Sequence, residues 1–567
     1  MVRRIPAFTR EVQCWTEEAE EKLRFELEST DWDLFFSDHH GDDVDGLCQV
    51  ITEYIRFCEK ECIPTKKVRC FSNNKPWMTK EVIHLLRRKR EVFRAGDTER
   101  LKVVGQQLKT ARTQAKEDYR VKLENCLQQN NTRQVWQGYR KITGYGSANT
   151  TVSGTEELAN ELNHFFNRFD VGGVQAKTGP AASRSNNGAA APPSPLILTH
   201  NQVKRQLSKT NIRKAAGPDN INSRVLKVCA EQLAVPLTQL FNLSLRTGKV
   251  PLLWKSSCIV PVPKKSRPSV LNDYRPVALT SQVMKTFERL VLNLLRPAVC
   301  DHLDPLQFAY QAGIGVDDAI IYLVNRALTY LDTPGCTVRI MFFDFSSAFN
   351  TIQPALLAEK LTVMGVNGGL VEWITNYLSG RPQFVRLQGG RSDVLVSNTG
   401  APQGTVLSPF LFTLYTSDFR YNSKSCHLQK FSDDTVVVSQ IFGEDTSEHD
   451  MVVNGFVQWS EGGHLLLNPS KTKEMPLDPR RSRKVPPVPS IVKGEAVELV
   501  DSYKFLGVHL NSSLDWSDNA MALHSRGKSR LFSLRRLRGF GVCNRMLQMF
   551  YQSVVASALF FGINCWG

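Results

Sequence analysis

No run of about 20 apolar residues, the length a bilayer-spanning helix needs, occurs in this chain. The longest candidate, Ser553 to Trp566, is too short, so no membrane is expected as a partner. The start, Met1-Val2-Arg3-Arg4, lacks the apolar core of a signal peptide. Thirteen cysteines are scattered without a disulfide framework. Cys58, Cys62 and Cys70 come nearest to a metal spacing, but no CxxC and no nearby histidine pair completes a tetrahedral set. Free thiols in a reducing, intracellular compartment are the expectation. An internal repeat is also missing, which excludes solenoids and propellers. What the chain lacks most clearly is acid to balance its base. Against 71 Lys and Arg stand 55 Asp and Glu, a net charge of +16.

That excess fits a polyanionic partner, because Lys and Arg at phosphates release condensed counterions, although a merely basic surface is also compatible. Hydrophobic residues at 42% and charged residues at 22% are ordinary for globular proteins, and 567 residues suggest about four units of roughly 150 each. Residues 1 to about 60 mix acidic and apolar positions at helical spacing. From Lys75 to Lys122 the chain turns basic, with the run Arg87-Arg88-Lys89-Arg90. Lys109, Arg112, Lys116 and Arg120 follow at three- and four-residue intervals and so line one side of a helix. That side either meets solvent or binds nucleic acid. Gly172 to Pro195 is rich in Ala, Gly, Ser, Asn and Pro and reads as a linker. The expected organisation is a helical basic N-terminal extension over 1–170 and a flexible linker over 171–196. An α+β region follows, in which periodic helices alternate with short β-branched runs.

Two carboxylate positions stand out in that region. Arg339 to Phe343 reads as a buried strand that ends in Asp344. Leu428 to Ser432 and Thr435 to Val438 read as strands flanking Asp433-Asp434, a hairpin whose tip carries both carboxylates toward Asp344. Mg²⁺ takes oxygen ligands and keeps waters and substrate phosphates, so two or three carboxylates on rigid strands suffice. An Asp-Asp pair is weak by itself. Asp42-Asp43 and Asp317-Asp318 read as structural, and Gly41 to Gly46 lacks the later Glu of a calcium loop.

Context separates the third pair. Lys214-Ala215-Ala216-Gly217-Pro218-Asp219-Asn220-Ile221, Ile259 to Lys265, Asn272 to Leu279 and Gln307-Phe308-Ala309-Tyr310 occur in order. Phe343-Asp344-Phe345-Ser346-Ser347-Ala348-Phe349-Asn350-Thr351, Gly400 to Pro409 and Phe431-Ser432-Asp433-Asp434 follow. Leu466 to Lys473 and Tyr503 to Val508 complete the series. From about Leu196 to Gly567 the sequence resembles the reverse transcriptases of non-LTR (LINE-type) retrotransposons. Ser432 is a departure, since the family usually has Ala before the aspartates.

The resemblance implies a right-hand polymerase, with fingers and palm over 197–510 and a helical thumb over 511–567. Its partners would be an RNA template, a DNA primer and deoxynucleoside triphosphates. Its setting would be a nuclear or cytoplasmic ribonucleoprotein. Two Mg²⁺ ions, or Mn²⁺ in their place, would be held by Asp344 and Asp433, with Asp434 contributing less directly. Phe349 resembles the aromatic gate beneath the sugar that leaves no room for a 2′-hydroxyl, and Phe345 would touch the same substrate. Lys264 and Arg275 would neutralise the triphosphate. Gln403 and Gly404 would lie near the templating base, where glycine permits close backbone approach. Lys471 or Lys473 would donate a proton to pyrophosphate. In the thumb, Arg526, Lys528, Arg530, Arg535, Arg536 and Arg538 are available for phosphates of a duplex. An RNA-directed RNA polymerase and a non-catalytic nucleic-acid-binding remnant are the competing readings. Residues 1–195 carry no recognisable nuclease constellation around their one dense cluster, His39, His40, Asp42, Asp43 and Asp45.

Overall fold

The computed structural model describes residues 8–37, 42–70, 75–145, 152–170, 196–265, 267–478 and 487–567. The expected linker lies outside them, as do His39 and His40. The chain divides into two compact units, one of Gln13–Pro64 with Thr150–Tyr503, the other of Met1–Val12 and Thr65–Asn149 with Lys504–Gly567. The stretch expected to form one N-terminal extension is therefore shared between two bodies. Its first helices join the larger unit, where Leu23 and Leu27 of Glu17–Glu28, and Leu47, Ile51 and Ile55 of Val44–Cys62, enter the main core. Buried apolar positions recur along both helices at the spacing that puts them on one side.

Two sheets organise the larger unit. In the five-stranded sheet the order is Glu498–Leu499, Lys473–Leu477, Cys336–Phe343, Asp434–Phe442, Cys426–Phe431. Cys336–Phe343 is buried at every position because it is central and covered on both faces, which suits its apolar residues, and its one charge, Arg339, is paired with the buried Glu474 at 3.0 Å. It pairs antiparallel with Asp434–Phe442, with Phe343 opposite Thr435, so one further step brings Asp344 opposite Asp434. The hairpin differs from the sequence expectation. Phe431 pairs with Asp434, so the two-residue turn is Ser432-Asp433, and Asp434 opens the next strand. Ser432 takes a φ of 60°, the left-handed conformation that a tight hairpin turn demands of one central residue. Asp433 therefore sits in the turn and Asp434 at the first position of the strand.

The four-stranded sheet has the order Tyr274–Leu279, Ser257–Pro263, Arg381–Val385, Leu395–Ser397. Helix Glu156–Phe166 is tied to it: the Gln383 amide donates to Asn163 Oδ1 at 3.0 Å, and Asn163 Nδ2 donates to the Asp393 carbonyl at 3.0 Å. In the smaller unit the basic helices Thr98–Gln128 and Thr132–Thr143 share a core with Ser517–Phe540 and Asn544–Phe550. Leu123, Val135 and Tyr139 meet Leu537, Met546 and Phe550 there, and the Tyr139 hydroxyl donates to the Met546 carbonyl at 2.6 Å. Cys58 and Cys62 are buried in the main core and burial raises both thiols, Cys58 to about 11; neither suits a metal ligand.

Candidate active site

A cleft of about 750 Å³ opens where the two sheets of the larger unit approach each other. Asp344, Phe345, Phe349, Gln403, Gly404, Asp433, Lys471, Lys264 and Arg275 all line it. Asp434 is not among the lining residues; it is exposed at the start of its strand.

Each lining group is placed by local chemistry. Asp344 ends the buried strand, and its backbone carbonyl accepts from Asn468 N at 2.9 Å. Its Oδ2 lies 3.3 Å from Lys471 Nζ. Lys473, the other candidate proton donor, instead pairs with Glu498 at 2.6 Å. Asp433 is held by its hairpin, and the hairpin is held by Gln307. The Gln307 amide donates to the Ser432 carbonyl at 3.3 Å and accepts from Ser432 N at 2.9 Å. Beneath it the buried Lys430 ammonium pairs with Asp304 at 2.7 Å and donates to the carbonyls of Thr416 and Phe419. The Ser432 hydroxyl, where the family pattern has Ala, hydrogen-bonds Tyr310 at 2.9 Å.

Phe349 packs on Phe412 with ring centroids 4.9 Å apart, while Phe345 is nearly buried against Phe456. Gly404 has a φ of 113°, and a Cβ there would come 2.9 Å from the Ala278 carbonyl, so only glycine fits. The Gln403 carbonyl accepts from Ala278 N at 2.9 Å, which pins this loop to the edge strand Tyr274–Leu279. Helix Leu407–Tyr415 then begins on a buried carboxylate: Glu288 accepts from Val406 N and from Leu407 N. An acidic group at a helix start satisfies orphan amides and opposes the dipole.

The electrostatics of the cleft are those of crowded like charges. Burial raises the Asp433 carboxyl, and Asp344 adds to this. Asp434, although its side chain reaches solvent, is raised to about 6 by the protein packed around its carboxyl, then by the charges of Asp433 and Asp344. Carboxylates that repel one another at a strand end suit a divalent cation. Among the described residues no group of three or more His, Cys, Asp or Glu is placed to hold a metal ion by itself. The carboxylates of Asp344 and Asp433 are hard oxygen donors, the kind a divalent cation takes together with waters and substrate phosphates. Lys264 is pushed down by partial burial and by the positive charges of Lys471, Arg275 and Arg168, while its Nζ donates to the Asn272 carbonyl at 2.7 Å.

The basic residues of the smaller unit divide by use. Lys109, Arg112, Lys528, Arg535 and Arg538 are exposed. Arg120 donates to the Gly541 carbonyl at 3.2 Å and pairs with Glu117. Lys116 stands over the Phe540 ring, Arg530 over Tyr145, and Arg536 donates to the Thr143 carbonyl at 2.8 Å. Arg526 reaches the Gly507 carbonyl at 3.5 Å. These five residues join helices of their own unit. The other aspartate pairs have local duties: Asp43 caps Val44–Cys62 through Gly46 N, Asp42 pairs with Arg246, and Asp318 accepts from Gly315 N. Sequence reasoning missed Arg168, Tyr310, Asn468 and Glu288. Tyr310 ends one of the ordered motifs, and Arg168 sits in the aromatic run Phe165-Phe166-Asn167-Arg168-Phe169, so both had a local signal.

Residues 262–510 match the family model described as reverse transcriptase (RNA-dependent DNA polymerase). The RNA-directed DNA polymerase from mobile element jockey of Drosophila melanogaster is 26% identical over 65% of this chain and 41% of its own length. The Pol polyprotein from type-1 retrotransposable element R1 of Bradysia coprophila is 22% identical over 96% of this chain and 57% of its own. The chain thus spans about two fifths of the length of the jockey-type relatives it matches. Among solved structures, apo telomerase from Candida tropicalis, truncated from its C-terminal domain, matches with a TM-score of 0.33 and 14% identity, over 46% of this chain and 54% of that one. Residues 262–510 are thus similar to reverse transcriptases, and the relatives that match over about two thirds of the chain are RNA-directed DNA polymerases of mobile elements.

Proposed function

We propose that this protein is an RNA-directed DNA polymerase that extends a primer 3′-end on an RNA template by two-metal nucleotidyl transfer. The observation that carries this reading is the single cleft that gathers Asp344 and Asp433 with Lys264, Arg275, Phe349, Gln403 and Lys471. In this reading the five-stranded sheet is the palm and the four-stranded sheet the fingers. Ser517–Phe540 with Asn544–Phe550 form the thumb, supported by the basic N-terminal helices of the same unit. Asp344 and Asp433 would hold Mg²⁺ or Mn²⁺, and Asp434 would contribute through its charge from outside the cleft lining. When bound, such ions supply Lewis acidity at the primer hydroxyl and the phosphates. The chain's own groups do the rest. Lys264 and Arg275 orient the triphosphate, Phe349 excludes a 2′-hydroxyl, and Lys471 presents a proton to the leaving pyrophosphate. Gln403 and Gly404, fixed to the fingers edge, support the templating pair. The polymerase would work in a ribonucleoprotein with its template RNA.

The test is primer extension by purified protein on poly-A RNA carrying an oligo-dT primer, with Mg²⁺ or Mn²⁺. Incorporation of dTTP that disappears in Asp344→Asn supports the reading. Incorporation of UTP in its place would mark an RNA polymerase, and silence with both metals a non-catalytic remnant.

A further inference from the structure

One cation in the cleft wall lies outside both the matched family region and every motif of the ordered series. Arg168 follows helix Glu156–Phe166, and its guanidinium is sandwiched between the rings of Phe165, 3.9 Å to the centroid, and Phe169, 4.2 Å. One edge nitrogen donates to the Phe165 carbonyl at 2.6 Å, and the other reaches Ser347 Oγ at 3.4 Å. Ser347 sits in the turn that directly follows the Asp344 strand end, with a φ of 58°. The segment bearing Arg168 is fastened on both sides. Asn160 and Asn163 bond the backbone of Asp393, and the Asp170 carboxylate accepts from Asn398 N at 3.0 Å. The guanidinium therefore stands on the frame of the four-stranded sheet.

Its surroundings identify what it could bind. The cleft is lined by four cations, Arg168, Lys264, Arg275 and Lys471, against two carboxylates, Asp344 and Asp433. Lys264, which Arg168 helps to depress, shows that these charges act on one another. The two carboxylates offset only half of this charge among the described lining residues, and a compact polyanion would offset the rest. Rings cover both faces of the guanidinium, leaving its N–H edge as the approach. That edge is the part that holds two phosphate oxygens at once. A nucleic-acid strand offers about one charge per phosphate, spread along its length. A nucleoside triphosphate concentrates its charge beside the reacting phosphorus, where Ser347 and Asp344 lie.

We propose that Arg168 is a third substrate-binding cation, which grips the non-transferred phosphates of the incoming nucleoside triphosphate alongside Lys264 and Arg275. This rests on the polymerase reading above and extends its nucleotide site to a segment far upstream of the motifs.

The full chain, loaded with a dideoxy-terminated primer on RNA, is titrated with dTTP in the presence of Mg²⁺, and primer–template affinity is measured separately. Arg168→Ala weakens dTTP binding by about tenfold or more, the usual effect of losing a charge-assisted hydrogen-bonding group, and leaves primer–template affinity unchanged. In steady-state extension the same variant raises KM for dTTP more than it lowers kcat. Arg168→Lys recovers part of the binding, since it keeps the charge without the fork. Thermal melts of each variant separate a loss of binding from a loss of folding, since the guanidinium also packs on Phe165 and Phe169. Weakened primer–template affinity with unaltered dTTP binding would overturn the inference in favour of a strand contact. Unaltered values in both assays would reduce Arg168 to an aromatic-cluster residue. If the wild type binds dTTP through Arg168 but extends no primer, the polymerase reading falls and this inference stands. If the wild type extends primers and Arg168→Ala is unaffected, only this inference falls. If the wild type neither binds nor extends, both fall.

Discussion

Removing Asp304 should destabilise the larger unit and disable the site that Asp433 occupies, although Asp304 touches no substrate. Its partner Lys430 lies on Cys426–Phe431, and the two side chains are 2% and 3% exposed. Lys430 Nζ is 2.7 Å from Asp304 Oδ2, 2.7 Å from the Thr416 carbonyl and 2.6 Å from that of Phe419. An ammonium in this setting is tolerated only because three oxygens replace its water. Asp304→Ala takes away the one charged partner, and breaking a buried pair in this way costs roughly 3–5 kcal/mol. In a unit of this size the melting temperature should fall by roughly 3–10 °C, by extension of the inverse dependence on chain length. The loss reaches the site through the backbone. Lys430 N donates to the Leu306 carbonyl, its own carbonyl accepts from Phe308 N, and Gln307 between them holds Ser432. Primer extension should therefore drop more than RNA binding does. The double variant Asp304→Leu with Lys430→Met buries no charge and should recover most of the lost stability. Thermal melts of the wild type, both single variants and the double variant close the cycle. A loss below about 1 kcal/mol for Asp304→Ala, or a double variant no better than the singles, would refute the argument that this ion pair braces the hairpin.

Four further outcomes are expected. Asp433→Asn should abolish dTTP incorporation with little change in RNA affinity, while Asp434→Ala, altered outside the cleft lining, should retain a measurable trace; equal loss in both would remove the distinction drawn from the hairpin register. Phe349→Val should raise the ratio of ribonucleotide to deoxynucleotide incorporation in competition assays, and an unchanged ratio would make Phe349 only the packing partner of Phe412. His427, wholly buried beside Tyr322 and Tyr330, is held at about 4 by burial and by Arg326. The unfolded chain takes up that proton near pH 6.5, so stability is full above 6.5 and declines by on the order of 3 kcal/mol as pH falls toward 4; denaturant melts of His427→Phe should lose this part of the acid sensitivity. Replacing the exposed Lys109, Arg112, Lys528 and Arg535 with Gln should flatten the log–log salt dependence of RNA binding by up to about 0.7 for each phosphate no longer neutralised, whereas Arg120→Ala, which unties Gly541, should lower thermal stability instead.

The sequence alone determined the members of the cleft where a local chemical demand names the residue. A glycine is required at 404 because a Cβ would strike the Ala278 carbonyl, and the apolar Ile340-Met341-Phe342-Phe343 before Asp344 suits a strand covered on both faces. The resemblance to non-LTR reverse transcriptases implied that Lys264, Arg275, Phe349 and Gln403 join the aspartates, and all of them line the same cleft. Three things were decided only by tertiary structure. Strand register placed the turn at Ser432-Asp433, which leaves Asp433 in the turn lining the cleft and Asp434 on the strand outside that lining. Packing gave Lys471 to Asp344 and Lys473 to Glu498, a choice that two lysines two residues apart do not encode locally. The N-terminal helices were divided by which apolar side found a partner. Leu23 and Ile51 reached the main core, while Tyr139 met Met546, 407 positions away, and helical periodicity states that a face will be buried without naming what will cover it.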